Sequence, residues 1–190
     1  MRSQIMNPTI SVRGLHTGVP LFQAVKRDVD PETGLYYHDV GHGNWAISLL
    51  ERPPKSPKSL SVIGHIQPGN TNPSEFIREN PDKVNINEEF WNALHHVLQR
   101  QITSDEYLVF EAEMRENGWA HLCDARHMAM PGRISPPEAI FGSVAFTDSK
   151  LVPDSYERND TYRFAVKHEG PMKLRQNWLK ALRAYLEKNE

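Results

Sequence analysis

Residues 86–102, "INEEFWNALHHVLQRQI", decide how the rest of the chain is read. Ile86, Phe90, Trp91, Leu94, Val97, Leu98 and Ile102 recur at helical spacing, which makes one face apolar and the other polar. Asn85 followed by Glu88 has the form of a capping box. An apolar stripe of this width must be covered, and the flanking sequence indicates by what.

Downstream, Thr103 and Glu106 form a second box that opens a helix over 104–117, and Asn117-Gly118 stops it. A third helix is predicted over 172–188. Its stripe is Leu174, Trp178, Leu182 and Tyr185, with Lys173, Arg175, Lys180, Arg183 and Lys188 on its other faces. Upstream lie short β-type segments bounded by Gly or Pro: "TISVRGL", "PLFQAV", "LYYHDV", "NWAISLLE" and "LSVIGHIQ". "DVDPETG" and "QPGNTNP" read as turn and loop, and "RPPKSPKS" (52–59) as an exposed connector. "GWAHLCD", "AIFGSVAF", "SKLVP" and "TYRFAV" are further strand candidates, with a turn at Asp148-Ser149 and one helical turn at "SPPE".

Strands and helices are thus segregated rather than alternating. The expectation is one α+β domain over 1–190, a mixed or antiparallel sheet packed against about three helices. Its predicted core includes Phe90, Trp91, Leu94, Leu98, Leu108, Val144, Phe164, Trp178 and Leu182.

Composition narrows the function classes. A formal charge of −2 over 190 residues lacks the basic field that a nucleic-acid binder needs. A single cysteine, Cys123, leaves no intrachain disulfide and no zinc finger or ribbon. No window of eighteen apolar residues occurs and the first residues lack a signal-peptide core, so no membrane partner is expected and a cytoplasmic setting is. Walker, nucleophile-elbow, dinucleotide, zincin and EF-hand patterns are missing.

Two segments carry titratable groups at close spacing. "YYHDVGHGNW" (36–45) holds His38, Asp39 and His42; "HLCDARHMAMPGR" (121–133) holds His121, Asp124 and His127 with Cys123, Arg126 and Arg133. Each contains an Asp-x-x-His unit, Asp39/His42 and Asp124/His127. An Asp beside a histidine fixes its tautomer and raises its basicity. If the fold brings the units together, Asp39 or Asp124 orients a histidine, His42 or His127 is the acid/base, and Arg126 or Arg133 binds an anionic group of a small-molecule ligand. Two histidines and a carboxylate also suit a divalent metal with open positions. The structural alternative makes Asp124 the ion-pair partner of Arg126 or Arg133, with His121 hydrogen-bonded and partly buried. Cys123 as a nucleophile needs an adjacent imidazole and an electropositive niche. A different class altogether is a non-catalytic interaction module, which predicts an apolar surface patch without a deep polar pocket.

Two resemblances accompany these residues. "HDVGH" (38–42) resembles the His-Asp doublet of HD-domain phosphohydrolases, which implies an all-helical metal hydrolase with His38 and Asp39 as adjacent ligands. Pro31 and Gly34 leave less than two turns for a helix ending at His38, so the local residues read as a loop or hairpin. The block "PGRISPPEAIFGSVAFTDSKLVPDSYERNDTYRFAV" (131–166) resembles small uncharacterised fungal proteins in its order of Gly-Arg-Ile, Gly-Ser-Val, Ser-Tyr and Tyr-Arg. That likeness implies no activity and no site residues.

Overall fold

The structure is a computed structural model, and it describes residues 27–127 and 134–190. The segments "TISVRGL" and "PLFQAV", and Arg133, lie outside the described residues. The fold is α+β. The first sheet is antiparallel throughout and runs β1 (Arg27–Asp30), β2 (Leu35–Gly41), β3 (Asn44–Ser48), β4 (Val62–Ile66) and, after α1 (Pro73–Glu79), β5 (Asn85–Ile86). Helices α2 (Glu88–Gln101) and α3 (Glu106–Arg115) lead into β6 (Gly118–Cys123). In the second sheet β7 (Ile140–Thr147) is central. It pairs with β6 on one side and with β8 (Lys150–Leu151) and β9 (Glu157–Arg158) on the other. A two-stranded ribbon of β10 (Ala165–Val166) and β11 (Gly170–Pro171) precedes α4 (Gln176–Asn189).

All nine residues predicted for the core are buried. They join one hydrophobic cluster that draws on both sheets and all four helices, with Ile77 from α1 and Leu108 from α3. α2 buries Phe90, Trp91, Ala93, Leu94, Val97 and Leu98 and packs against α4, which buries Trp178, Leu179, Leu182 and Leu186. Each large side chain removed from water contributes roughly 1.5–3 kcal/mol. The Arg175 guanidinium lies 4.4 Å from the Trp178 ring centroid and bonds Asp105, tying α4 to the start of α3.

The turns follow backbone chemistry. β2 and β3 join through His42-Gly43, both at positive φ (54° and 74°), the geometry of a tight hairpin turn. Asp148-Ser149 repeats it between β7 and β8 (φ 50° and 61°), where the sequence places a turn. Residues 52–59 lie mostly exposed, as the connector reading expects.

Four expectations are corrected. Asn85 does not cap α2: it pairs in β5, and Asn87 caps instead, accepting from Glu89 N–H while its amide donates to Ser59 and Val62 carbonyls. Asp105 rather than Thr103 caps α3, because its carboxylate also meets Arg175. α1 is a fourth helix where about three were expected; it starts at Pro73, the last residue of the stretch read as loop, and Asn72 caps it. "TYRFAV" yields strand only at Ala165–Val166, which pair with β11, while Phe164 enters the core and Tyr162 packs against it.

Candidate functional site

The 38–42 unit lies on the β2–β3 hairpin. Neighbours on a strand point to opposite faces. His38 is fully buried and its Nε2 donates to the Leu50 carbonyl (3.0 Å), leaving Nδ1 as an unprotonated nitrogen without a partner. Burial lowers its pKa from the usual imidazole value, so the ring is neutral near pH 7. Asp39 points the other way and accepts the Gly41 N–H (2.9 Å), a local turn bond. His42 is exposed at the hairpin tip. The doublet that resembles HD-domain hydrolases is therefore strand-borne, with its two side chains on opposite faces of the sheet rather than on the helix which that resemblance implies.

The 121–127 unit leaves the second sheet at the end of β6. Asp124 is fully buried and is the centre of a dense hub. One oxygen accepts the N–H groups of Arg126 (2.9 Å) and Lys173 (3.1 Å); the other accepts Arg126 Nε (3.0 Å) and the Tyr162 hydroxyl (2.7 Å). The Arg126 side chain is 3 % exposed and also donates to the carbonyls of Gly170 and Arg163. Burial pushes the Asp124 carboxyl up, against the pull of Arg126, the two N–H groups and Tyr162. Burial and the Asp124 charge push the Tyr162 phenol well above its usual value, which keeps it a donor. The partner of Asp124 is thus Arg126, as the structural alternative holds, and His127 pairs elsewhere, with Glu169 (2.8 Å).

Cys123 is buried, and burial pushes its thiol pKa up, the wrong direction for a nucleophilic thiolate. Among the described residues, no three His, Cys, Asp or Glu side chains converge on a metal position. Nor does any hydrogen bond or ion pair among them join Asp39 or His42 to Asp124 or His127.

Two polar pairs escaped the sequence reading. His121 and Ser143 are directly opposite on β6 and β7, with Nδ1 and Oγ 2.7 Å apart, and Glu157 follows Ser143 across on β9. The signal was Ser143 itself, a polar residue inside "AIFGSVAF". His95 of α2 bonds the Tyr156 hydroxyl (2.7 Å). Burial, helped by Arg158, pushes the His95 pKa down to about 4, and burial pushes the Tyr156 phenol up. The bond is therefore one between a neutral imidazole and a protonated phenol. Gly142 makes room for this pair: a Cβ there would stand 2.7 Å from the Tyr156 ring and 2.5 Å from the Glu157 carbonyl oxygen.

The hollows in the surface are open ones. That beside His121 and Ser143 measures about 320 Å³ and is also lined by Glu157, Arg158 and Asn159. The two about 600 Å³ in size lie along α4 and beside Asp160 and Arg163. Neither Asp-x-x-His unit lines any of these. Among the exposed large apolar side chains, which also include Val29, Val40, Ile134 and Val152, Phe110 (54 % exposed) and Met114 (68 %) lie one turn apart on α3, and Trp119 (43 %) is at the start of β6. No described helix is long and apolar enough to cross a membrane. No family model, curated protein or solved structure matches the chain.

Proposed function

We propose that this protein is a non-catalytic interaction module whose docking surface is the outward face of α3. The observation that carries this reading is the Phe110–Met114 pair. Residues four apart on a helix are neighbours, so the two side chains form one continuous apolar ridge. Isolated exposed hydrophobic residues are ordinary, but adjacent large ones on a polar surface mark contact sites. The other faces of α3 are satisfied: Leu108 and Ala112 enter the core, and Glu111 pairs with Arg115 (2.7 Å).

The acid/base reading draws support from the His121–Ser143 pair beside its hollow. A nucleophile and base at 2.7 Å meet the distance requirement. However, among the described residues no carboxylate bonds the other imidazole nitrogen, and the hollow is open to water. Asp124, one of the two carboxylates expected to orient a histidine, is already saturated by four donors.

The test is comparative. Wild type, Phe110→Ser/Met114→Ser and His121→Ala/Ser143→Ala proteins, each shown folded by circular dichroism, are immobilised and the retained proteins are quantified. Partners retained by wild type and the His/Ser variant but lost by the α3 variant are expected. Equal retention by all three would refute the α3 surface.

A further inference from the structure

We infer that the partner seated on α3 is a basic amphipathic helix. This inference rests on the docking reading above and names the chemistry of the occupant. Glu106 lies four residues before Phe110 and Glu113 three after it, so both fall on the face that carries the apolar ridge. Both are exposed, as is Glu116 at the C-cap. The only cation on the helix, Arg115, sits on another face and is held by Glu111. The ridge is therefore bordered by carboxylates that have no cation of this chain bonded to them among the described residues.

Shape points to a helix. Phe110 and Met114 form a ridge of the i, i+4 kind, and such ridges fit the grooves between the same rows on a second helix. Because Glu106 and Glu113 both lie on the side of Phe110 away from Met114, a helical partner with an apolar stripe and Lys or Arg along one flank places cations against them while its stripe covers the ridge. Opposite charges at the rim act mainly on partner choice and association rate, so the electrostatic part of binding must weaken with salt.

The experiment uses two synthetic probes of about 18 residues, long enough to form a helix on a surface. One is built from Leu and Lys and the other, with the same pattern, from Leu and Glu. Binding to the full chain is read by fluorescence anisotropy at low and high salt. The Leu–Lys probe is expected to bind wild type at least tenfold more tightly than the Leu–Glu probe at low salt. Glu106→Lys/Glu113→Lys should reverse that order, and Phe110→Ser/Met114→Ser should weaken both probes at either salt. If both probes bind alike and the charge reversal changes nothing while the apolar variant abolishes binding, the surface stands and the basic partner is overturned. If the apolar variant leaves binding unchanged, or no probe binds, both the surface and its partner are overturned.

Discussion

Replacing Asp124 by alanine should be among the most destabilising single changes in this chain. The substitution removes the acceptor of two N–H groups, one hydroxyl and one guanidinium, all in a site where Asp124 is fully buried and the Arg126 side chain is 3 % exposed. The Gly170 and Arg163 carbonyls keep hold of Arg126, but its charge is left uncompensated in the interior. Removing one member of a buried pair costs about 3–5 kcal/mol. In a chain of this size each kcal/mol moves the melting temperature by about 2–4 °C, so a drop of roughly 6–20 °C is expected. Asp124→Asn keeps an acceptor for the two N–H groups and should cost less, about 2–3 kcal/mol. Urea unfolding at pH 7, followed by tryptophan fluorescence, measures both. The decisive measurement is the cycle with Arg126→Met. If the cost of Asp124→Ala comes from an orphaned charge, the double variant is much less destabilised than the sum of the single changes. Additivity within about 0.5 kcal/mol, or a cost for Asp124→Ala below that value, would refute the hub. A carboxylate that merely orients a histidine would instead shift a pH profile and leave stability nearly unmoved.

Three further outcomes follow from other contacts. His95 has a folded pKa of about 4 against 6.5 for the free ring; a depressed folded value means its stabilising contribution is present above pH 6.5 and is lost as pH falls towards 4. That shift sets a ceiling of about 3 kcal/mol, and solvent at the ring edge reduces it to roughly 1–2. Unfolding free energies measured from pH 7 to 4 should therefore fall less steeply in His95→Gln; an unchanged slope rejects the assignment. Gly142→Ala puts a methyl group against the Tyr156 ring and the Glu157 carbonyl oxygen, and should cost about 1–3 kcal/mol and expose β9 amides to hydrogen exchange. Asp105→Ala removes both the α3 cap and the buried partner of Arg175; a loss of about 2–4 kcal/mol in urea unfolding is expected, and less than 1 would mean that Arg175 finds another partner.

The long helices were legible because the burial of α2 and α4 is written in a repeating stripe that spans several turns. Their caps were less so. Asn85 and Asn87 are equivalent on local grounds, and the choice between them is made by Ser59 and Val62, which the helix sequence does not contain. α1 has only seven residues, too few for a stripe, and is held by ion pairs of Arg78 to Asp30 and Glu32. The His121–Ser143 contact depends on strand register, which a bulge between Leu122 and Cys123 alters just beyond it. The α3 ridge was hidden for the opposite reason. Phe110 and Met114 look like core residues in a list, and only the helix rotation fixed by Leu108 and Ala112 turns them outward.

The residues richest in chemistry are those the fold uses to close itself. Asp124, Arg126 and Tyr162 clasp two backbone stretches, at Arg163 and at Gly170 to Lys173, that carry little strand pairing of their own. His95 and Tyr156 fasten α2 to the loop before β9, and Arg183 reaches back from α4 to the Leu49 and Gly34 carbonyls. A chain with many prolines and short strands has many backbone groups outside regular ladders, and each must find a side chain or water. Polar residues recruited for that task are fixed and saturated, which is the opposite of what a proton-transfer group requires. Among the described residues, Phe110 and Met114 belong to no part of the buried core, and this is why the proposed function starts there rather than at the histidines.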